Sequence, residues 1–160
     1  LRLPLAKARL NKQKRIKLIT VIGFPFGFIP NQHKIAEAEW ASEQGAEELE
    51  LVPNFLALEQ NKIDMFAEEI ANICEIGLPV RVILDTKNLA KDKLSLAIDA
   101  SIDAGAIGLQ NGNGFGGCVE PDEIKQLSNL VRNRCKIKAV GGLKTLEQTF
   151  SLIEAGVDKI

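Results

Sequence analysis

The sequence predicts an α/β fold of about five parallel strands with intervening helices, and three observations carry that prediction. Short apolar β-type runs alternate with amphipathic helical stretches at intervals of about 30 residues. The runs are nearly continuous in apolar residues rather than alternating, as expected of parallel strands covered on both faces. One phrase also recurs at helix ends, Gln44-Gly-Ala46, Ala104-Gly-Ala106 and Ala155-Gly-Val157. There a glycine stops the helix just before a tight turn into a strand.

In chain order, the first 17 residues hold seven Lys or Arg and no acid. Leu3, Leu5, Ala8 and Leu10 supply an apolar stripe, so the segment reads as a surface helix with its basic residues in water. The lack of an initiator methionine suggests that something upstream has been removed. The strands fall at residues 16–22, 47–52, 80–84, 106–110 and 136–140. Helices fall at residues 32–44, closed by Gly45; at 63–76, closed by Gly77 and Pro79; and at 91–104, closed by Gly105. Another starts at Pro121-Asp-Glu, with proline in the first turn and acids at the positive end of the helix dipole. The last starts at Thr145 and ends at Ala155-Gly156, and residues 157–160 read as the entry into a further strand that does not arrive. This series suits part of a (β/α)8 barrel or a doubly wound sheet, while a whole barrel needs about 200 to 250 residues. The chain is then a fragment, a truncated protein, or an open sheet that needs a partner, another copy included, to cover its edges.

Composition narrows the partners. A chain of 160 residues with 46% hydrophobic and 26% charged content builds one core, so residues 1–160 are read as one domain. The net charge of -1 gives no electrostatic reason to expect nucleic acid or an anionic membrane. Small molecules or proteins are the expected partners. No apolar run approaches the ~20 residues that span a bilayer. Cys74, Cys118 and Cys135 form no CxxC pair and point to neither a disulfide framework nor a zinc site, which fits a reducing cytoplasm.

In parallel βα folds ligands sit beyond the C-terminal strand ends, so the polar residues there are the candidates. Alternation puts Glu50, Asp85, Gln110 and Lys138 on a common side of their strands, where they would converge at one mouth. Two carboxylates beside a lysine and an amide make a polar pocket, although Glu50 and Lys138 also read as a buried ion pair and Asp85 as a turn cap. Asn54 closes the second strand's exit, and Gly141-Gly142 reads either as a tight turn or, leading to a helix start, as a phosphate nest. The only histidine, His33, lies at a helix start far from this set in sequence, which argues against a histidine triad.

Five ordered motifs, residues 20–27 (TVIGFPFG), 45–52 (GAEELELV), 80–86 (VRVILDT), 104–115 (AGAIGLQNGNGF) and 137–145 (IKAVGGLKT), resemble the deoxyribose-phosphate aldolase family. The resemblance implies a partial (β/α)8 TIM barrel lacking two N-terminal strands and one C-terminal strand. It implies reversible cleavage of 2-deoxyribose 5-phosphate to glyceraldehyde 3-phosphate and acetaldehyde through a lysine imine, with a sugar phosphate as partner and no metal or other cofactor. By that resemblance the proton-relay aspartate falls on Glu50, the second lysine on Lys138, and part of the phosphate site on Gly141 and Gly142. The imine lysine, in a lysine-threonine-serine-threonine-glycine run, falls on Gln110. A glutamine amide cannot attack a carbonyl to form an imine, because its nitrogen lone pair is delocalised. The chain is therefore expected to be inactive or strongly impaired as an aldolase, or else to be a non-catalytic sugar-phosphate-binding or structural relative.

Overall fold

The computed structural model describes residues 2–10 and 16–160. Five strands, β1 (Ile19–Ile22), β2 (Glu48–Leu51), β3 (Val80–Ile83), β4 (Gly108–Gln110) and β5 (Lys136–Lys138), form one parallel sheet in the order β1-β2-β3-β4-β5. A doubly wound sheet reverses its strand order at a switch point, and this one does not. Sequential order is that of a barrel arc, left open in this chain.

Burial follows position in the arc. Every residue of β2 and β3 is buried, whereas β1 and β5 at the two ends are only partly covered. The strands are one to three residues shorter at their ends than the apolar runs that announced them. Residues 16–18, for example, are not part of β1. The entry into a further strand read at residues 157–160 is visible as one isolated bridge: Lys159 pairs with Lys138 in parallel fashion, the Ala139 amide donates to the Lys159 carbonyl, and the Lys159 amide donates to the Ile137 carbonyl.

The helices α1 (Leu3–Leu10), α2 (Asn31–Glu43), α3 (Phe55–Glu59), α4 (Ile63–Cys74), α5 (Lys91–Asp103), α6 (Pro121–Val131) and α7 (Leu146–Glu154) connect or flank the strands. The short helix α3 lies where sequence reading saw only the exit of a strand. In α1 only Leu3 is buried, and Leu5 and Ala8 face solvent, so the four-residue stripe is narrower than expected. Lys12, Lys14 and Arg15 of the basic segment lie outside the described residues. Helix α6 carries Pro121 in its first turn with Asp122 and Glu123, and α7 is capped by Thr145 and Gln148 in a reciprocal box. The core forms where Phe66, Ile70 and Ile73 of α4 and Leu94, Ala97 and Ile98 of α5 cover Leu49, Leu51, Val80 and Val82. No helix among the described residues is long and apolar enough to cross a membrane.

Candidate functional site at the strand ends

Register determines which side chains share a layer. Glu50 pairs with Arg81, Arg81 with Gly108, and Gly108 with Lys136; one layer higher, Ile83 pairs with Gln110 and Gln110 with Lys138. Across the arc, Lys138 Nζ reaches Glu50 Oε1 at 2.6 Å, joining β5 to β2 over 88 residues of sequence. The lysine side chain keeps 19% of its exposure and the glutamate 6%, so the pair sits at the mouth with its cation open to solvent.

Beneath that pair lies a second set of charges that strand-end reasoning did not reach. Arg81 donates to Glu48 Oε1 at 3.1 Å, and Lys159 holds both Glu48 oxygens at 2.9 and 3.0 Å. Arg81 Nε stands 4.0 Å from Glu50 Oε1 and links the two levels. Burial acts to raise the Glu48 carboxyl, but hydrogen bonds from Lys159 and Arg81 outweigh it and hold the group below its ordinary value. The available signal was Arg81 itself, the one charge in an otherwise apolar strand. Its guanidinium needs Gly108, because a Cβ there would stand 2.3 Å from Arg81 Nη1 and 2.8 Å from the Lys136 carbonyl.

Gln110 is 3% exposed. Its Nε2 donates to the Gly112 carbonyl at 2.6 Å, and its Oε1 is buried without a hydrogen-bond partner among the described residues. The next residue, Asn111, stitches the loop to β5: its Oδ1 accepts from the Val140 amide at 2.7 Å, and its Nδ2 donates to Glu123 Oε1 at 3.0 Å and to the Val140 carbonyl at 3.2 Å. Lys87 ties the glycine-rich loop down by donating to the carbonyls of Gly116 at 2.9 Å and Cys118 at 2.6 Å. Asn111, Glu123 and Lys87 escaped sequence reasoning because none lies on a strand, where alternation is informative.

The remaining candidates are placed differently. Asp85 lies two residues past β3, and its carboxylate accepts two hydrogen bonds from Asn88 at 2.9 and 3.0 Å. It makes no bond to Glu50, Gln110 or Lys138 and instead lines a cavity of about 180 Å³ with Phe26, Phe28, Phe55 and Asn113. Asn54 is the N-cap of α3, accepting from the Ala57 amide at 3.4 Å. Gly141 and Gly142 adopt φ of 133° and 62°, and a Cβ on either would collide with Gly117 or Cys118, so their absence of side chains serves the approach of that loop. The amides of Lys144 and Thr145 just beyond are taken by Gln148 Oε1. Among the described residues the amides of Gly141, Gly142 and Leu143 donate to no protein acceptor, which leaves them able to bind an anion. His33 is exposed in the first turn of α2. No group of three His, Cys, Asp or Glu suited to a metal occurs among the described residues.

No protein-family model matches the chain. Individual relatives do. A deoxyribose-phosphate aldolase of Thermosynechococcus vestitus is 38% identical over 146 residues, covering 91% of this chain and 67% of that protein. A deoxyribose-phosphate aldolase of Thermococcus gammatolerans is 34% identical over 165 residues, covering 99% of this chain and 73% of that protein. Among solved structures, the aldolase QR15 superposes with a TM-score of 0.92 at 33% identity, covering 99% of this chain and 72% of that one. The deoxyribose phosphate aldolase of Aeropyrum pernix, described as a tetramer, superposes with a TM-score of 0.86 at 28% identity, covering 98% and 68%. The chain thus spans about two thirds to three quarters of these relatives.

Proposed function

Because this chain belongs to the deoxyribose-phosphate aldolase family, we propose that it is a sugar-phosphate-binding relative in which imine catalysis has been lost. One observation carries the proposal. At the position where the family resemblance expects the imine nucleophile stands Gln110, and Lys138, the lysine beside it in register, is held in an ion pair with Glu50. Forming an imine requires a free amine lone pair to attack the carbonyl carbon, after which the carbon–oxygen bond breaks and water leaves. A delocalised amide nitrogen does not supply that pair, and the Lys138 nitrogen is engaged with the Glu50 carboxylate at 2.6 Å. What the site retains is recognition. The open amides of residues 141–143 suit a phosphate, and Glu50, Lys138 and Gln110 offer polar contacts to a sugar chain.

In this reading residues 1–160 act as a single, incomplete barrel domain, and Asp85 and Asn54 shape loops rather than touch the reacting carbon. Partners are small sugar phosphates, and the tetramer described for the Aeropyrum pernix protein favours testing for self-association. The first test is incubation with acetaldehyde and borohydride followed by mass spectrometry. No reduced two-carbon adduct is expected on any lysine, and a stable adduct on Lys138 would overturn the loss of imine chemistry. The second is Gln110→Lys, which restores an amine beside Lys138. Retro-aldol turnover of 2-deoxyribose 5-phosphate should rise above the parent's background, and no rise would mean that the pocket has diverged beyond one residue.

A further inference from the structure

The loops leaving β1, β2 and β3 enclose a second space, of about 180 Å³, whose lining differs in kind from the mouth that holds Glu50 and Lys138. Its walls are the rings of Phe26, Phe28 and Phe55, and its polar groups come from Asp85, Glu59 and Asn113. None of Glu50, Gln110, Lys138 or residues 141–143 lines it. Pockets that enclose a whole drug-sized ligand run to roughly 300–1,000 Å³, so this one suits a single compact group. Its shape is already fixed. Asn113 Nδ2 donates to the Pro25 carbonyl at 3.2 Å, Asn88 Nδ2 donates to the two Asp85 oxygens at 2.9 and 3.0 Å, and the Phe26 and Phe28 rings stack with centroids 6.3 Å apart.

Charge and ring chemistry define the group that fits. Two carboxylates line the space and no basic residue does. Neither Asp85 nor Glu59 forms an ion pair among the described residues. Lys87, two residues after Asp85, donates instead to the Gly116 and Cys118 carbonyls, and Lys93 donates to the carbonyl of Leu58, the residue before Glu59. Phe26 and Phe28 are 58% and 68% exposed, an unfavourable setting for large apolar rings that a ligand would cover. An anion would meet two like charges. The faces of aromatic rings attract cations, and carboxylates do the same. A primary ammonium brings three N–H donors that each need an acceptor, while both Asp85 oxygens and Asn113 Oδ1 already hold donors, from Asn88 and the Phe115 amide. A quaternary ammonium carries the charge with no N–H to satisfy, and its methyl groups pack against rings.

We propose that the space walled by Phe26, Phe28 and Phe55, with Asp85 and Glu59 at its polar side, binds the quaternary ammonium group of a small soluble molecule. The site stands apart from the sugar-phosphate reading, because no group that reading uses lines it.

Calorimetric titration with choline and with 3,3-dimethyl-1-butanol, the neutral molecule of the same shape, tests the site. Choline is expected to bind about tenfold or more tighter than the alcohol. Asp85→Asn, which keeps an oxygen for Asn88, and Glu59→Gln should each weaken choline several-fold and leave the alcohol unchanged. Phe28→Leu keeps an apolar wall without a ring face and should weaken choline more than the alcohol. Equal affinities for the two compounds, or no binding of choline, would overturn the cation site. Choline binding that all three substitutions leave unchanged would place it elsewhere and overturn the assignment as well. Vesicles of phosphatidylcholine, which present the same group on a lipid, should not bring the protein down, and vesicle binding without binding of free choline would overturn the soluble ligand.

Discussion

Two lysine–carboxylate pairs of nearly equal length lie at opposite sides of β2, and they have different work. Lys34 Nζ reaches Glu69 Oε1 at 2.7 Å, and Lys138 Nζ reaches Glu50 Oε1 at 2.6 Å. The Lys34 side chain is 0% exposed, so its ammonium finds every partner within the protein, including the Val52 carbonyl at 2.9 Å. The same Glu69 oxygen accepts the Asn54 amide at 2.9 Å, which makes this pair a clamp on the chain leaving β2. Burial drives the Lys34 amine below its ordinary value, against the opposing pull of Glu69. Among the described residues the Lys138 ammonium group bonds one protein partner, and its side chain is partly exposed. Pair distance therefore says little about role, and access to solvent separates the structural lysine from the one a ligand can meet.

The comparison can be broken most sharply at the buried clamp. Lys34→Ala strips Glu69 of its cation and leaves the Val52 carbonyl short of a donor, and should cost about 3–5 kcal/mol in urea unfolding. Adding Glu69→Leu to Lys34→Met should recover part of that loss, because no uncompensated charge remains. Lys138→Met should cost less, about 1–3 kcal/mol, since solvent reaches the mouth and Arg81 Nε stands 4.0 Å from Glu50. A larger loss for Lys138→Met than for Lys34→Ala would reverse the assignment of the two pairs.

The smallest effect concerns pH. Glu48 titrates below 4.5 in the folded protein and near 4.5 when unfolded, so its contribution is complete above 4.5 and is lost as pH falls through the lower, folded value. Glu48→Gln should flatten that acid limb of a stability-against-pH curve. An unchanged limb would mean that other carboxylates control acid unfolding.

The strands and most helices were legible because burial on both faces leaves an unmistakable apolar run, and glycine marks the stops. Strand ends were overestimated where the ladder starts inside the apolar run, as at Leu18, whose carbonyl accepts the Glu47 amide although the β1–β2 register begins at Ile19, since hydropathy does not reveal where a ladder starts. Helix α3 was missed because five residues after a proline turn carry too little periodicity. At the site, alternation along β2 and β5 put Glu50 and Lys138 on one side, and their charged ends do meet. It failed for Asp85, which lies past the end of β3, where the backbone turns and the period of two no longer applies. Arg81 was visible as an oddity, but its partner Glu48 lies 33 residues away, and Lys159, which shares that carboxylate, lies 111 residues from Glu48.

By itself the sequence determined the βα rhythm and the helix stops, because each is written in local residue chemistry. Only the tertiary structure decided that the sheet is an arc rather than doubly wound and that Glu50 belongs to Lys138. Those outcomes depend on strand order and register, which bring together side chains as many as 88 residues apart, and no local pattern encodes which of several buried charges will be neighbours.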